Sequence, residues 1–247
     1  MIIGVGSKSG GVGSSFIASQ LSHALALKRC KTLLLTTDYI NGVQYSCLSE
    51  ERRRKDIFLE KSIFTNEKIN LRENLDFIDM IYSKDIIKIS EKYEAYSKIK
   101  KFLQQQRNEY DYTIIDYKSS SDNLEVNKRF LENTDKMILV NDASDSYRKG
   151  ILNMLKEIEN YSQMEILCVL FNGIEKKFNE ELEDKISLIK SLGIYVPVPI
   201  TKEKSIYDLI KDNKTIWESN DRRLKKMKES FLQIINRIEQ VKKMKYK

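Results

Sequence analysis

Short apolar runs alternate with longer stretches of helical periodicity along most of this 247-residue chain. A continuous apolar run of about four to eight residues between turn signals is typical of a buried strand. The predicted strands are residues 2–6, 32–37, 75–81, 112–116, 136–141, 165–172 and 194–197. The predicted helices are residues 16 to about 28, 85–108, 123–131, 146–160, 179–192, 202–211 and 219–245. This alternation predicts an α/β fold, with a mostly parallel sheet and helices on both of its faces.

The pattern predicts one domain over residues 1–247. No linker rich in glycine, proline or serine divides the chain, and Pro197 and Pro199 flank the end of the last predicted strand, where a sheet tolerates proline. No apolar run approaches the roughly 20 residues that cross a bilayer. The first strand begins without a signal peptide before it, and the three cysteines are scattered. We therefore expect a cytoplasmic protein with reduced thiols.

A glycine-rich segment lies between the first predicted strand and the first predicted helix. Residues 6–16 read GSKSGGVGSSF, and this strand–loop–helix context is typical of a phosphate-binding loop, or P-loop. Backbone N–H groups of such a loop surround a phosphate, and the helix N-terminus adds a favourable partial charge. In the usual pattern a lysine follows the last glycine, and the next residue is a serine or threonine that holds Mg²⁺. Here Ser14 occupies the lysine position and Ser15 the metal position. The sequence thus predicts a loop that binds phosphate but is poorly equipped for hydrolysis.

The loop resembles that of the MinD/ParA ATPases, which reads Lys-Gly-Gly-x-Gly-Lys-Ser/Thr. Residues 10–13 and Ser15 fit this pattern, whereas Ser14 and Ser9 stand where the family has its two lysines. Lys8 lies one residue upstream and can substitute only if the loop is locally remodelled. Loops that lack the second lysine look like the TadZ/CpaE branch, whose members place secretion and pilus machinery at the cell pole.

Polar residues at three predicted strand ends match further motifs of this family. By resemblance, Asp38 helps to position the attacking water, Asp116 lies near Mg²⁺ at the end of the Walker B strand, and Asn172 contacts adenine. Simpler interpretations stay open at each position. Asp38 and Asp116 can cap the turns that follow their strands, and Asn172 can support an Asn-Gly turn.

The resemblance implies ATP and Mg²⁺ as cofactors. The residues expected to bind the nucleotide are Lys8, Gly10, Gly11, Val12, Gly13, Ser14, Ser15, Phe16 and Asn172, with Ser15 and Asp116 at the metal and Asp38 as the catalytic residue. A charged hydrogen bond to phosphate contributes about 1.5–3 kcal/mol, so we expect nucleotide binding to survive the missing lysine in weakened form. A cation at the transferred phosphate can contribute about 10³–10⁵ in rate, so slow or absent turnover is expected. His23, the single histidine, is expected to be packed or exposed rather than catalytic.

The positive charge is concentrated at the C-terminus. Residues 222–247 carry ten Lys/Arg and two Glu, a net charge of +8, whereas the whole chain carries +7. Apolar residues recur at spacings of three and four in the predicted helix 219–245, which makes this helix amphipathic and basic. Three interpretations follow: a final helix packed on the sheet, a helix on an anionic membrane surface, or a basic surface that holds DNA non-specifically.

Together these features predict a nucleotide-binding positioning protein of the TadZ/CpaE type, which localises pilus or secretion machinery with weak or absent ATP hydrolysis. The alternative is an active ParA/MinD-type ATPase for DNA partition or for division-site or flagellar positioning. In this family ATP lies between two protomers, and the signature lysine reaches across. Because Ser9 replaces that lysine, we expect a homodimer in which ATP makes only a modest difference. Such a protein would act in the cytoplasm, or at the periphery of the inner membrane or the cell pole.

Overall fold

The computed structural model describes residues 1–7, 10–37, 68–79, 92–117, 130–142, 155, 164–175 and 180–244. The predicted helices at 123–131 and 146–160 lie almost entirely outside these ranges. Two residues of the predicted site, Lys8 and Asp38, also lie outside the described residues, as does Ser9.

In the described part of the chain, seven strands form one sheet. They are β1 (Ile2–Gly6), β2 (Thr32–Thr36), β3 (Ile69–Arg72), β4 (Leu75–Asp79), β5 (Tyr112–Asp116), β6 (Lys136–Asn141) and β7 (Glu165–Phe171). The order across the sheet is β3-β4-β2-β5-β1-β6-β7, and all neighbouring pairs are parallel except β3–β4. The predicted mostly parallel α/β sheet is confirmed, with the P-loop strand β1 between β5 and β6.

The described α-helices are α1 (Ser14–Leu27), α2 (Lys92–Glu109), α3 (Glu180–Ser191), α4 (Ser205–Lys211) and α5 (Lys225–Met244). Two 3-10 turns, Ile216–Glu218 and Arg222–Leu224, connect α4 to α5. These helices lie on both faces of the sheet, as predicted. Helices α1 and α5 share one hydrophobic layer with Ile3 and Val5, whereas α2 and α3 share the other with Ile2. Neighbouring residues of β1 enter opposite layers because side chains alternate along a strand.

The predicted strand at 194–197 is wrong. This segment runs beside the end of β7, where Val169 N donates to Tyr195 O at 3.0 Å and Ile200 N donates to Phe171 O at 2.8 Å, but it forms no ladder. A single parallel bridge follows, between Ile174 and Thr201. Pro197 and Pro199 have no N–H group to donate, so regular pairing cannot continue through them.

Strand β3 was missed by the apolar pattern. It is four residues long, contains polar Asn70 and Arg72, and is only partly buried at the edge of the sheet. A two-residue turn joins it to β4, and Asn74 takes the left-handed conformation there at φ 63°. The side chains of β3 contribute little apolar burial, so its hydrogen bonds to β4 hold it in the sheet.

The C-terminal helix begins later than predicted. Instead of continuing from residue 219, the chain forms a 3-10 turn capped by Asp221, whose carboxylate accepts a hydrogen bond from Arg223 N at 2.9 Å. The apolar stripe of α5 is buried in the core, with Phe231, Ile234 and Ile238 at 0% exposure.

Two charged contacts hold the C-terminal half of α5 against the rest of the protein. Lys28 at the end of α1 pairs with Glu239 at 2.5 Å. Lys242 Nζ lies 3.7 Å from Asp111 Oδ1 and 4.7 Å from the centre of the Tyr112 ring. Of the three interpretations of the basic tail, the packed helix is the one observed, and the packing continues through Lys242. No described helix combines the length and the apolar character needed to cross a membrane.

Candidate functional site

The glycine loop joins β1 to α1 through two left-handed residues. Gly11 has φ 82° and Gly13 has φ 87°, values that residues with a side chain rarely adopt. Gly13 is the N-cap of α1, so no side chain caps the helix, and its first turn contains no acidic residue. Neither a capping side chain nor an acidic residue of that turn competes there for the helix N–H groups. With the partial positive charge of a helix N-terminus, this arrangement suits an anion such as phosphate.

Asn172 holds this loop from the end of β7. Its side-chain Nδ2 donates to the Val12 carbonyl oxygen at 2.8 Å. Its backbone N–H donates to Asn141 O at 2.7 Å, and the following Gly173 has φ 70°. The Asn-Gly turn is thus present, and the Asn172 side chain supports the loop in addition. Contact with adenine stays a prediction for this residue.

Gly13 and Asn172 fit so closely that a side chain at residue 13 would displace the Asn172 amide. A Cβ built on Gly13 would lie 2.5 Å from Asn172 Nδ2, whereas a Cβ on Gly11 meets no atom within 4 Å. The loop therefore needs glycine at residue 13 for two reasons, its backbone conformation and the space that Asn172 occupies.

A cleft of about 380 Å³ opens beside this loop. One wall is the loop with the start of α1, and the opposite wall is the segment 201–203 with α4. The lining residues are Gly11, Val12, Gly13, Phe16, Asp142, Asn172, Gly173, Thr201, Lys202, Glu203, Ile206, Tyr207 and Ile210. The cleft lies outside the carboxyl ends of the parallel strands, next to the end of β1. In the sheet, β1 lies between β5, from the first half of the chain, and β6, from the second half. Open α/β sheets commonly bind ligands at such a position.

Asp116 lies at the carboxyl end of β5, paired in register with Val5 of β1 and Thr36 of β2. It is 1% exposed. Thr36 Oγ1 lies 3.5 Å from Asp116 Oδ2, and Thr37 donates to the Asp116 carbonyl oxygen through both N (3.0 Å) and Oγ1 (3.1 Å). The two threonines that follow the apolar part of β2 thus fix the end of β5.

The carboxylate of Asp116 and the hydroxyl of Ser15 are oxygen donors, which Mg²⁺ prefers. Ser15 lies in the first turn of α1, and Asp116 lies beside the strand that leads into the loop. The residue types and their elements therefore fit the predicted metal, although Asp116 is not part of the cleft lining. No group of three or more His, Cys, Asp or Glu side chains among the described residues could hold a metal by itself.

Of the predicted nucleotide-binding residues, Gly11, Val12, Gly13, Phe16 and Asn172 line the cleft together. Gly10, Ser14 and Ser15 adjoin them in the loop and in the first turn of α1 but do not line the cleft.

The opposite wall of the cleft, residues 201–210, was not predicted. No motif marks these residues, and the strand predicted before them at 194–197 does not form.

His23 lies on α1 and is not among the residues that line the cleft. It is 6% exposed, and Arg72 Nη1 lies 3.4 Å from its Nδ1. Burial, and then the charge of Arg72, lower the pKa of His23 to about 4. The ring is therefore neutral near pH 7, packed between α1 and the β3–β4 edge.

Comparison with known proteins identifies the family. A family model described as an AAA domain matches residues 1–167. This chain belongs to that AAA domain family. The match includes the glycine loop and Asp116 and ends inside β7, so that Asn172, the 201–210 wall of the cleft and α5 follow it.

One sequence relative and several solved structures match most of this AAA domain protein. The uncharacterized protein MJECL24 of Methanocaldococcus jannaschii is 26% identical over 229 residues, which cover 83% of this chain and 87% of that protein. An McdA variant from Cyanothece, solved in complex with ATP, superposes with a TM-score of 0.73 at 14% identity and covers 96% of this chain and 95% of that one. A plasmid partition protein from Borrelia burgdorferi, bound to AMPPNP, gives a TM-score of 0.67 at 21% identity, covering 95% and 97%. The predicted MinD/ParA type of fold is confirmed.

Proposed function

We propose that this protein is a nucleotide-binding positioning protein of the MinD/ParA type, with ATP bound in the cleft between the glycine loop and α4. The observation that carries the proposal is the left-handed pair Gly11 and Gly13 at an uncapped helix N-terminus, held in place by Asn172. Glycine adopts this conformation without strain, and the N–H groups of a helix N-terminus that no side chain caps are suited to bind a phosphate.

The cleft also suits the rest of a nucleotide. Its volume of about 380 Å³ lies within the range of about 300–1,000 Å³ that is usual for small-molecule sites. Phe16, Ile206 and Tyr207 contribute apolar surface for a base, and Asn172 lines the same cleft. The ATP and AMPPNP in the two structures described above support an adenine nucleotide as the ligand.

Ser15 and Asp116 are the residues proposed to hold Mg²⁺. When bound, Mg²⁺ would neutralise phosphate charge and so strengthen nucleotide binding. The burial of Asp116 and its contacts with Thr36 and Thr37 keep this carboxylate in a fixed position at the end of β5.

Hydrolysis is proposed to be weak or absent. Ser14 begins α1 where the usual loop has its lysine, and a serine hydroxyl cannot supply a positive charge to the transferred phosphate. Bound nucleotide would then stabilise one state of the protein rather than drive a rapid cycle of ATP binding and hydrolysis.

The cellular role is proposed to be positional, of the TadZ/CpaE type, with the protein marking a site for pilus or secretion components in the cytoplasm, at the inner membrane or at the cell pole. The serine at the lysine position supports this branch. Helix α5 would contribute its exposed charges rather than its apolar stripe, because Phe231, Ile234 and Ile238 are already buried. Exposed Lys225 and Lys226 could then attract an anionic membrane surface or DNA.

Calorimetry with Mg-ATP and a phosphate-release assay test the function. We expect saturable ATP binding with turnover far below that of an ordinary ATPase. Ser14→Lys serves as the matched variant, since it restores the missing charge and should strengthen ATP binding. Turnover at an ordinary ATPase rate in the wild type would favour the alternative, an active ParA/MinD-type partition or positioning ATPase. Absence of binding at millimolar ATP would reject the site.

A further inference from the structure

The wall of the cleft opposite the glycine loop carries a lysine. Lys202 lines the same cleft as Gly11 and Gly13. Its backbone is fixed, because Lys202 N donates to Ile174 O at 2.9 Å and the preceding residue, Thr201, forms the bridge to Ile174. Ile174 in turn follows the Asn172–Gly173 turn that supports the loop. Lys202 therefore has a defined position relative to the loop, although its side chain is exposed.

Lys202 is the only basic residue among the described residues that line the cleft. Among the described lining residues, the other charged ones are Asp142 and Glu203, both carboxylates. Two carboxylates repel an approaching phosphate, and Ser14 supplies no charge at the loop. In the described part of the chain, the Lys202 ammonium has no hydrogen bond or ion pair with another residue.

We propose that Lys202 supplies a cation that binds the phosphates of the nucleotide, from the wall opposite the loop. The inference rests on the proposed function, since it assigns a residue to the same ligand. A lysine side chain is a mobile point charge on a flexible four-carbon stem, and it can turn into the cleft once a phosphate arrives. A cation outside the loop would stabilise the bound nucleotide without occupying the position that normally promotes transfer of the terminal phosphate.

The proposal predicts that Lys202 acts on phosphate and not on the base. Three variants are compared with the wild type: Lys202→Ala removes the charge, Lys202→Arg keeps it, and Lys204→Ala removes a nearby exposed charge that does not line the cleft. Thermal unfolding of each variant checks that the fold is unchanged. Affinities are measured for ADP by calorimetry and for adenosine by ligand-observed NMR, at low and moderate salt.

We expect Lys202→Ala to weaken ADP binding at least tenfold, which corresponds to about 1.4 kcal/mol. Adenosine affinity should change less than twofold. Lys202→Arg and Lys204→Ala should keep ADP affinity within about threefold of the wild type. The salt dependence of ADP binding should also decrease in Lys202→Ala, because one screened charge pair is lost.

Two results would overturn the proposal while leaving the proposed function intact. ADP binding by Lys202→Ala at wild-type affinity would show that another group provides the charge. An equal loss of ADP and adenosine affinity would place Lys202 at the base or in the shape of the cleft. If the wild type itself binds neither ADP nor ATP, the proposed function fails, and this inference fails with it.

Discussion

At the scale of single residues, Gly11 and Gly13 form a matched pair. Both have φ near 85° in the same loop, at 82° and 87°, but only Gly13 lies against another side chain, Asn172. An alanine at either position must adopt a left-handed backbone conformation, which costs about 1–2 kcal/mol of stability. An alanine at residue 13 must in addition displace Asn172 and break its hydrogen bond to Val12.

Gly13→Ala should therefore destabilise the protein by about 2–4 kcal/mol, and Gly11→Ala by about 1–2 kcal/mol. Urea unfolding of both variants gives the comparison. The loss of ATP affinity should follow the same order, because only a side chain at residue 13 disturbs the Asn172–Val12 hydrogen bond that joins the loop to the end of β7. Equal free energies of unfolding for the two variants would show that the Asn172 contact contributes nothing.

His23 gives the stability a defined pH dependence. Burial and Arg72 lower the pKa of His23 to about 4 in the folded protein, against about 6.5 in an unfolded chain. The unfolded chain therefore binds more protons below pH 6.5, and the folded state loses stability as the pH falls from about 6.5 to about 4. The contribution lost amounts to about 3 kcal/mol.

Replacing the imidazole tests this directly. In His23→Gln the part of the pH dependence that belongs to residue 23 disappears, so the difference in unfolding free energy between variant and wild type should change by about 3 kcal/mol between pH 7 and pH 4. Carboxylates titrate in both proteins and cancel in the difference. Parallel stability curves for the two proteins would contradict the assignment.

At the scale of elements, α5 closes the hydrophobic layer that also contains α1. Each of its buried large side chains, among them Phe231, Ile234 and Ile238, contributes about 1.5–3 kcal/mol through burial. Their sum is comparable to the whole stability of a typical domain, about 5–15 kcal/mol. The end of the helix contributes less, because the Lys242–Asp111 pair is partly exposed.

Truncation after Leu224 should therefore give an unfolded or aggregated protein. Truncation after Glu239 keeps these buried residues and the pair with Lys28, and should cost less than about 2 kcal/mol. Circular dichroism and thermal melting distinguish the two outcomes. A folded, monodisperse product from the first truncation would show that α5 is an appendage of the core rather than part of it.

At the scale of the whole molecule, we expect a homodimer that depends on surfaces other than the phosphate site. Ser9 stands where MinD/ParA proteins have the lysine that reaches across to the partner's nucleotide. We therefore expect the association constant to change less than about tenfold, or about 1.4 kcal/mol, on addition of ATP. Sedimentation velocity with and without Mg-ATP measures it. A protein that is monomeric without ATP and dimerises only with ATP would contradict this expectation and favour the ATP-driven dimerisation of MinD/ParA proteins.

The sequence predicted those parts of the molecule that apolar burial determines. Strands β1, β2, β5, β6 and β7 are buried on both faces, so their apolar runs are visible in the chain. The edge strand β3 was missed because pairing with β4 stabilises it. The strand predicted at 194–197 was wrong because Pro197, at its end, and Pro199, just after it, have no N–H group to donate.

The site was predicted only where a local motif encodes it. The glycine loop is contiguous in sequence, so its position was clear. The Asn172–Val12 hydrogen bond joins residues 160 positions apart, and the wall at 201–210 is brought to the loop by the bridge between Ile174 and Thr201. Contacts of this kind depend on the finished sheet, and no local pattern contains them.

The division of the cleft between two parts of the chain has a consequence for how its selectivity can be altered. The glycine loop comes before α1, whereas the wall at 201–210 follows β7. Exposed residues of this wall, such as Lys202 and Tyr207, can therefore be exchanged to change what the cleft selects while the anion-binding loop keeps its sequence and conformation.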